Sequence, residues 1–209
     1  MNFLLSAALG LAAATATYAA GPAPSPATGE PTLAEVRAAT ARFRDVEVAR
    51  AEGYINPGNQ CETAGEMGMD KKLGGMGIHF FRPDLLGVAG PPNPRVTGTG
   101  THTDFRKPAI LIYEPRADGS LELVAVENLV FEKAWKAAGN TAPPSFHGID
   151  YERMADDPAT AMDEAHMFEP HFDKHVWLWR NNPSGVFAPF NPTVTCEHTK
   201  GPQMAHKGH

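Results

Sequence analysis

Two apolar runs, residues 109–114 and 121–131, stand on either side of Asp118-Gly119. An Asp-Gly pair between strand-like runs is a strong hairpin signal, because glycine adopts the left-handed backbone that a tight turn requires. Side chains alternate between the two faces of a strand, and both runs are apolar on both. Water cannot be left against either face, so the hairpin belongs at the centre of a sheet covered on both sides.

The rest of the chain is organised around that hairpin. Glycine (20) and proline (19) are frequent among the 209 residues, which predicts many turns and argues against a helical bundle. Pro91, Pro92 and Pro94 with four glycines make residues 87–108 a long loop, and the Gly/Met-rich stretch 55–77 is expected to loop over the surface. Thr32-x-x-Glu35 is a capping box. Leu33, Val36, Ala39, Phe43 and Val46 then recur at helical spacing up to a stop at Gly53, which predicts one long helix covering the sheet. Met76–Phe81 reads as a short strand, 132–145 as loop or short helix, 155–167 as a further helix and His171–Arg180 as a strong strand. Turns follow at Asn182-Pro183-Ser184-Gly185 and at Asn191-Pro192, and no internal repeat is present. The pattern predicts an α+β fold: an antiparallel β-sheet or partial barrel, one long N-terminal helix and long Gly/Pro-rich loops. The length suits one domain, placed at 32–197.

Phe3 to Ala14 is an uncharged apolar run. At about 12 residues it is too short to span a bilayer. Thr17 and Ala19 place small residues before a cut after Ala19, so residues 1–19 read as a secretory signal peptide. A Pro/Ala/Gly-rich flexible leader follows over 20–31, and 198–209 reads as a disordered tail. No second long apolar run occurs, which predicts a soluble periplasmic or extracellular protein without a stable membrane span. In an oxidising compartment Cys61 and Cys196 can pair; two free thiols, or a thiol on a metal, are the alternatives. The net charge of −6 and the lack of a basic stripe exclude nucleic acid as a partner class. Gly-x-Ser-x-Gly, a Walker loop, His-Glu-x-x-His and Cys-x-x-Cys are all absent from the sequence.

Polar residues inside apolar patterns point to chemistry. On a strand, His171, Asp173, His175, Trp177 and Trp179 share one face; on a helix, His171 and His175 still do. Glu127 lies inside the apolar run 123–131, where a carboxylate is costly unless it is paired or holds a metal. Glu114 falls opposite Leu123, which puts it roughly 13 Å from Glu127 at about 3.3 Å per residue, too far to share an ion. His79 follows Gly74-Gly75-Met76-Gly77, a stretch permitting close backbone approach. The first expectation is therefore a mononuclear centre of His79, Glu127, His171 and His175 holding a single divalent or copper ion. An open coordination position would support Lewis-acid or oxygen chemistry on a small molecule, with His147 or Asp173 as acid–base or supporting group. The ligand set is chemically like that of cupins, whose spacing motifs are missing. His102 and His166 are weaker candidates, and Met204, His206 and His209 in the tail are assigned no role. Two other readings stand beside this one. Met67, Met69, Met76 and His79 suit non-catalytic copper handling. A metal-free ligand-binding or structural module would use Trp177 and Trp179 as a wall and pair Glu127 with Arg82 or Arg180.

Several segments together resemble a family of uncharacterised, mostly bacterial exported proteins. They are Gly-Gly-Met-Gly-Ile-His (74–79), Val-Ala-Val-Glu (124–127), His-Val-Trp-Leu-Trp (175–179) with Asn182-Pro183, and Phe190-Asn191-Pro192 with Cys196. The resemblance spans roughly residues 40–197, and Cys61, His79, Glu127, His171, His175, Trp177 and Cys196 fall on its pattern. The His147 segment departs from it. The resemblance implies boundaries and export, and no particular activity.

Overall fold

The computed structural model describes residues 29–160 and 163–200. The expected signal peptide, and nearly all of the leader and tail, lie outside the described residues. The fold is α+β, built on one curled antiparallel sheet. Six strands form it: β1 (Cys61–Thr63), β2 (Gly75–Phe81), β3 (Ile110–Pro115), β4 (Leu121–Phe131), β7 (Glu152–Met154) and β8 (His171–Val176), in the order β1-β2-β3-β4-β8-β7. β5 (Ser145–Phe146) and β6 (Ile149–Asp150) pair as a separate two-stranded unit. The Asp118-Gly119 hairpin is β3–β4, and β4 lies between β3 and β8 near the middle of the sheet, as the apolar runs require.

The N-terminal helical segment is broken. α1 (Leu33–Thr40) is followed by a 3-10 turn over Ala41–Arg44 and then by α2 (Val46–Ala51). The capping box forms: the Glu35 amide donates to Thr32 Oγ1 at 3.2 Å, and the Thr32 amide donates to Glu35 Oε2 at 2.7 Å. Asp45 ends the continuity, because its side chain accepts from the Glu47 amide at 2.9 Å and caps a new helix. The helix expected over 155–167 does not form among the described residues. Asp157 and Asp163 accept from the Ala159 and Met167 amides, and Arg95 bonds both Asp156 and Asp163. The segment 55–77 is likewise not a mere surface loop: it contributes β1 and buries Cys61, Ala64 and Met67. β8 stops at Val176, since the Trp177 amide leaves the sheet for the Val186 carbonyl.

Each face of the sheet has its own apolar cluster. Val36, Phe43 and Ala49 cover one face, against Phe80, Tyr113, Val126 and Val130. The other face holds Ile110, Ile112, Ala125, Leu129, Phe131 and Trp177, closed by Leu86. Cys61 and Cys196 form a disulfide across 135 positions, fixing β1 at the sheet edge. Gly77 in β2 has φ +112°, and a Cβ there would lie 2.7 Å from the Tyr113 carbonyl oxygen. Glycine is therefore required for β2 to lie this close to β3 just before His79. No helix among the described residues is long and apolar enough to cross a membrane.

Candidate metal centre

Register places the centre on the second face. In antiparallel pairs, residues directly opposite share a face. His79 pairs with Ile112, and Ile112 with Ala125; one row on, Ile110 pairs with Glu127, and Glu127 with His175. Glu127 and His175 are thus direct neighbours on β4 and β8. His79 reaches Glu127 across β3, over a backbone separation of about 10 Å that two long side chains can bridge. His79 Nε2 lies 3.3 Å from Glu127 Oε2, and His175 Nε2 lies 3.5 Å from the same oxygen. One donor atom from each residue lies within 4.8 Å of the other two. That spacing suits metal–ligand bonds of about 2.0–2.2 Å. Trp177 stacks beside the His175 ring at 6.4 Å between centroids, and Phe81 beside His79 at 6.1 Å.

The three side chains are buried, Glu127 to 3% exposure. Glu127 Oε2, His175 Nε2 and His79 Nδ1 make no hydrogen bond among the described residues. Buried polar atoms are nearly always satisfied, so Glu127 Oε2 and His175 Nε2, which converge at the centre, call for a partner, while His79 Nδ1 faces outward to Glu62. Burial pushes the Glu127 carboxyl up, but the His175 and His79 imidazoles outweigh it and hold the group below its usual range. Burial pulls His175 down and keeps its ring neutral, against the opposing Glu127 carboxylate. His79 goes the other way: burial would lower it, yet Glu62 and Glu127 raise it to about 9.

The structure brings together three of the four expected ligands and leaves His171 apart. His171 pairs with Phe131, four positions along β8 from His175. That spacing is roughly 13 Å of strand. Its Nδ1 is 3.0 Å from the Glu169 carbonyl oxygen, and burial lowers its pKa to about 4. Asp173, between them on the same face, is buried; burial and then the Glu127 charge raise its pKa well above the usual carboxylate range. His147 lies away from the centre. Its ring Nε2 donates to the Pro31 carbonyl at 2.8 Å and its backbone amide to Glu30 at 2.9 Å, so it fastens the N-terminal segment. Glu114 is paired opposite Glu122 rather than Leu123, because the register shifts between Ile112 and Tyr113. It bonds Arg180 at 2.8 Å, Arg116 at 3.0 Å and the Thr195 amide at 2.9 Å, well occupied outside the centre.

The other readings fare unevenly. Arg82 pairs with Asp84 and Arg180 with Glu114, so neither neutralises Glu127. Trp177 and Trp179 do not share a wall: Trp177 donates to the Ala188 carbonyl on the centre's side, while Trp179 sits beneath Arg37 and donates to Thr40. Met76 packs with Ala64, Met67 and Phe190, and Met69 is exposed.

One carboxylate beside the centre escapes sequence reasoning. Glu62 on β1 pairs opposite Gly77, two residues before His79. Its Oε1 lies 3.9 Å from His79 Nδ1 and its Oε2 lies 3.5 Å from His166 Nδ1. Burial opposes its ionisation, but His79 and then His166 pull it down to about 2. Its one local signal is adjacency to Cys61, whose staple sets where β1 lies. Comparison with known protein families, curated proteins and solved structures finds no match.

Proposed function

We propose that this chain is an exported metalloprotein in which His79, Glu127 and His175 hold one divalent first-row ion. The observation that carries this reading is the meeting of three buried donor atoms, from three different strands, with no hydrogen bond on Glu127 Oε2 or His175 Nε2. Two imidazoles and one carboxylate suit zinc or iron(II), and contain no thioether to favour copper(I). Three protein donors are the pattern of sites that keep a coordination position for substrate or water. A bound ion there would supply Lewis-acid polarisation to a small molecule, and Asp173 is the nearby carboxyl suited to proton transfer. Export is supported by the disulfide, by the apolar leader sequence and by the resemblance to exported proteins.

A metal-free reading has one observation in its favour. His79, with its raised pKa, could sit as an imidazolium between Glu62 and Glu127 and neutralise both. Purified protein equilibrated with zinc and analysed by elemental mass spectrometry separates the two. The metalloprotein reading expects one ion per chain, lost in Glu127→Gln and His175→Ala. Folded wild-type protein that takes up no ion would leave the imidazolium reading standing.

A further inference from the structure

An ion bound by buried donors needs a way in, and the structure offers one. A cavity of 370 Å³ lies against the outer side of His79. Of the three proposed ligands, His79 alone lines it, together with Glu62, His166, Met67 and Met167. The His79 ring is therefore a partition: Nε2 faces Glu127, and Nδ1, buried and without a hydrogen bond, faces Glu62. Glu62 has no lysine or arginine partner among the described residues; its charge is met by imidazoles, His79 and His166 in contact and His175 further off. His166 and Met167 are held in left-handed backbone, with φ +52° and +67°, a conformation that residues other than glycine adopt at a cost. A dedicated framework maintains it. Met167 donates its amide to Asp163 and accepts at its carbonyl from the Val96 amide, while Arg95 binds Asp163 and Asp156. Strained backbone that its surroundings enforce tends to mark a functional position.

We infer that this cavity is the loading vestibule of the metal centre, with Glu62 and His166 capturing a divalent cation from solution before it passes His79 to the inner site. The inference rests on the metalloprotein reading. A carboxylate in a cleft concentrates cations, an imidazole is a ready ligand, and the Met67 and Met167 thioethers supply weak, easily exchanged contacts. Capture must be transient. The Glu62 and His166 donors are not close enough to His79 Nδ1 to complete a second three-ligand cluster, since the described residues contain one such group and it excludes them.

A residue that acts on the route alone changes association and dissociation equally and leaves Kd unaltered, whereas a ligand changes Kd. The test is stopped-flow loading of the full chain with zinc, together with chelator-driven release, in wild type and His166→Ala. Glu62 touches His79, so it is a poorer first target. Loading and release are both expected to slow by about tenfold, equivalent to about 1.4 kcal/mol for losing one of the two capturing donors, with Kd held within a few-fold. Unchanged loading would overturn the vestibule, and so would a Kd weakened in step with the rate, which would make His166 a ligand. Should His166→Ala fail to fold by circular dichroism, His166→Gln serves with the same criteria. Absence of zinc uptake by wild-type protein at equilibrium is a separate result, and it would remove the metal centre as well as its access route.

Discussion

Metal binding to this chain should release about one proton per ion, and the reason lies in how differently the three donors titrate. His79 is raised to about 9, so at pH 7 it is almost wholly an imidazolium. His175 is lowered and already neutral, and Glu127 is lowered and already ionised. An incoming cation therefore displaces the proton of His79 and none from the other two. The sign follows: affinity rises with pH, about tenfold per unit, until His79 loses its proton near pH 9 unaided. At pH 7, about two units below, proton competition weakens binding by roughly a hundredfold. Calorimetric titration in different buffers reads the number of protons released as the slope of observed enthalpy against the enthalpy of buffer protonation. A slope near one is expected at pH 7, falling towards zero above pH 9. A slope near zero at pH 7 would refute the assignment of His79 as a protonated ligand, and a slope near two would mean that His175 also starts charged.

Reduction of the Cys61–Cys196 bond should lower unfolding free energy by up to about 5 kcal/mol, read by denaturant titration, since it closes a loop spanning 135 positions. Gly77→Ala should destabilise by about 2–3 kcal/mol, because it combines an unfavourable φ of +112° with a 2.7 Å clash on the Tyr113 carbonyl. A change under half a kcal/mol in thermal unfolding would contradict the tight β2–β3 approach. Arg180→Ala should cost about 2 kcal/mol, because buried Glu114 would keep only Arg116 as a cationic partner. Arg180→Ala combined with Glu114→Gln should recover part of that loss.

What the sequence makes legible is local. Asp118-Gly119 and two apolar runs define the central hairpin because their signal lies within about twenty residues. Glu127 stands out because a carboxylate within Leu123–Phe131 needs a reason to be there. His175 follows from strand alternation once β8 pairs with β4. The expectation for His171 fails on simple reach: the rise per residue that separates Glu114 from Glu127 also separates His171 from His175. Glu62 is hidden because its position depends on the pairing of a three-residue edge strand fixed by a disulfide from the far end of the chain. Asp45 and the Arg95–Asp156–Asp163 cluster defeat helix periodicity for a related reason, as side-chain bonds compete with the helix for the backbone.

A crystal of the protein grown with zinc, measured at wavelengths on either side of the metal's absorption edge, would locate the ion directly. An anomalous peak is expected at about 2.0–2.2 Å from the Nε2 atoms of His79 and His175 and from Glu127 Oε2. A zinc-soaked crystal with no such peak, and with the His79 ring instead hydrogen-bonded to both Glu62 and Glu127, would contradict the account.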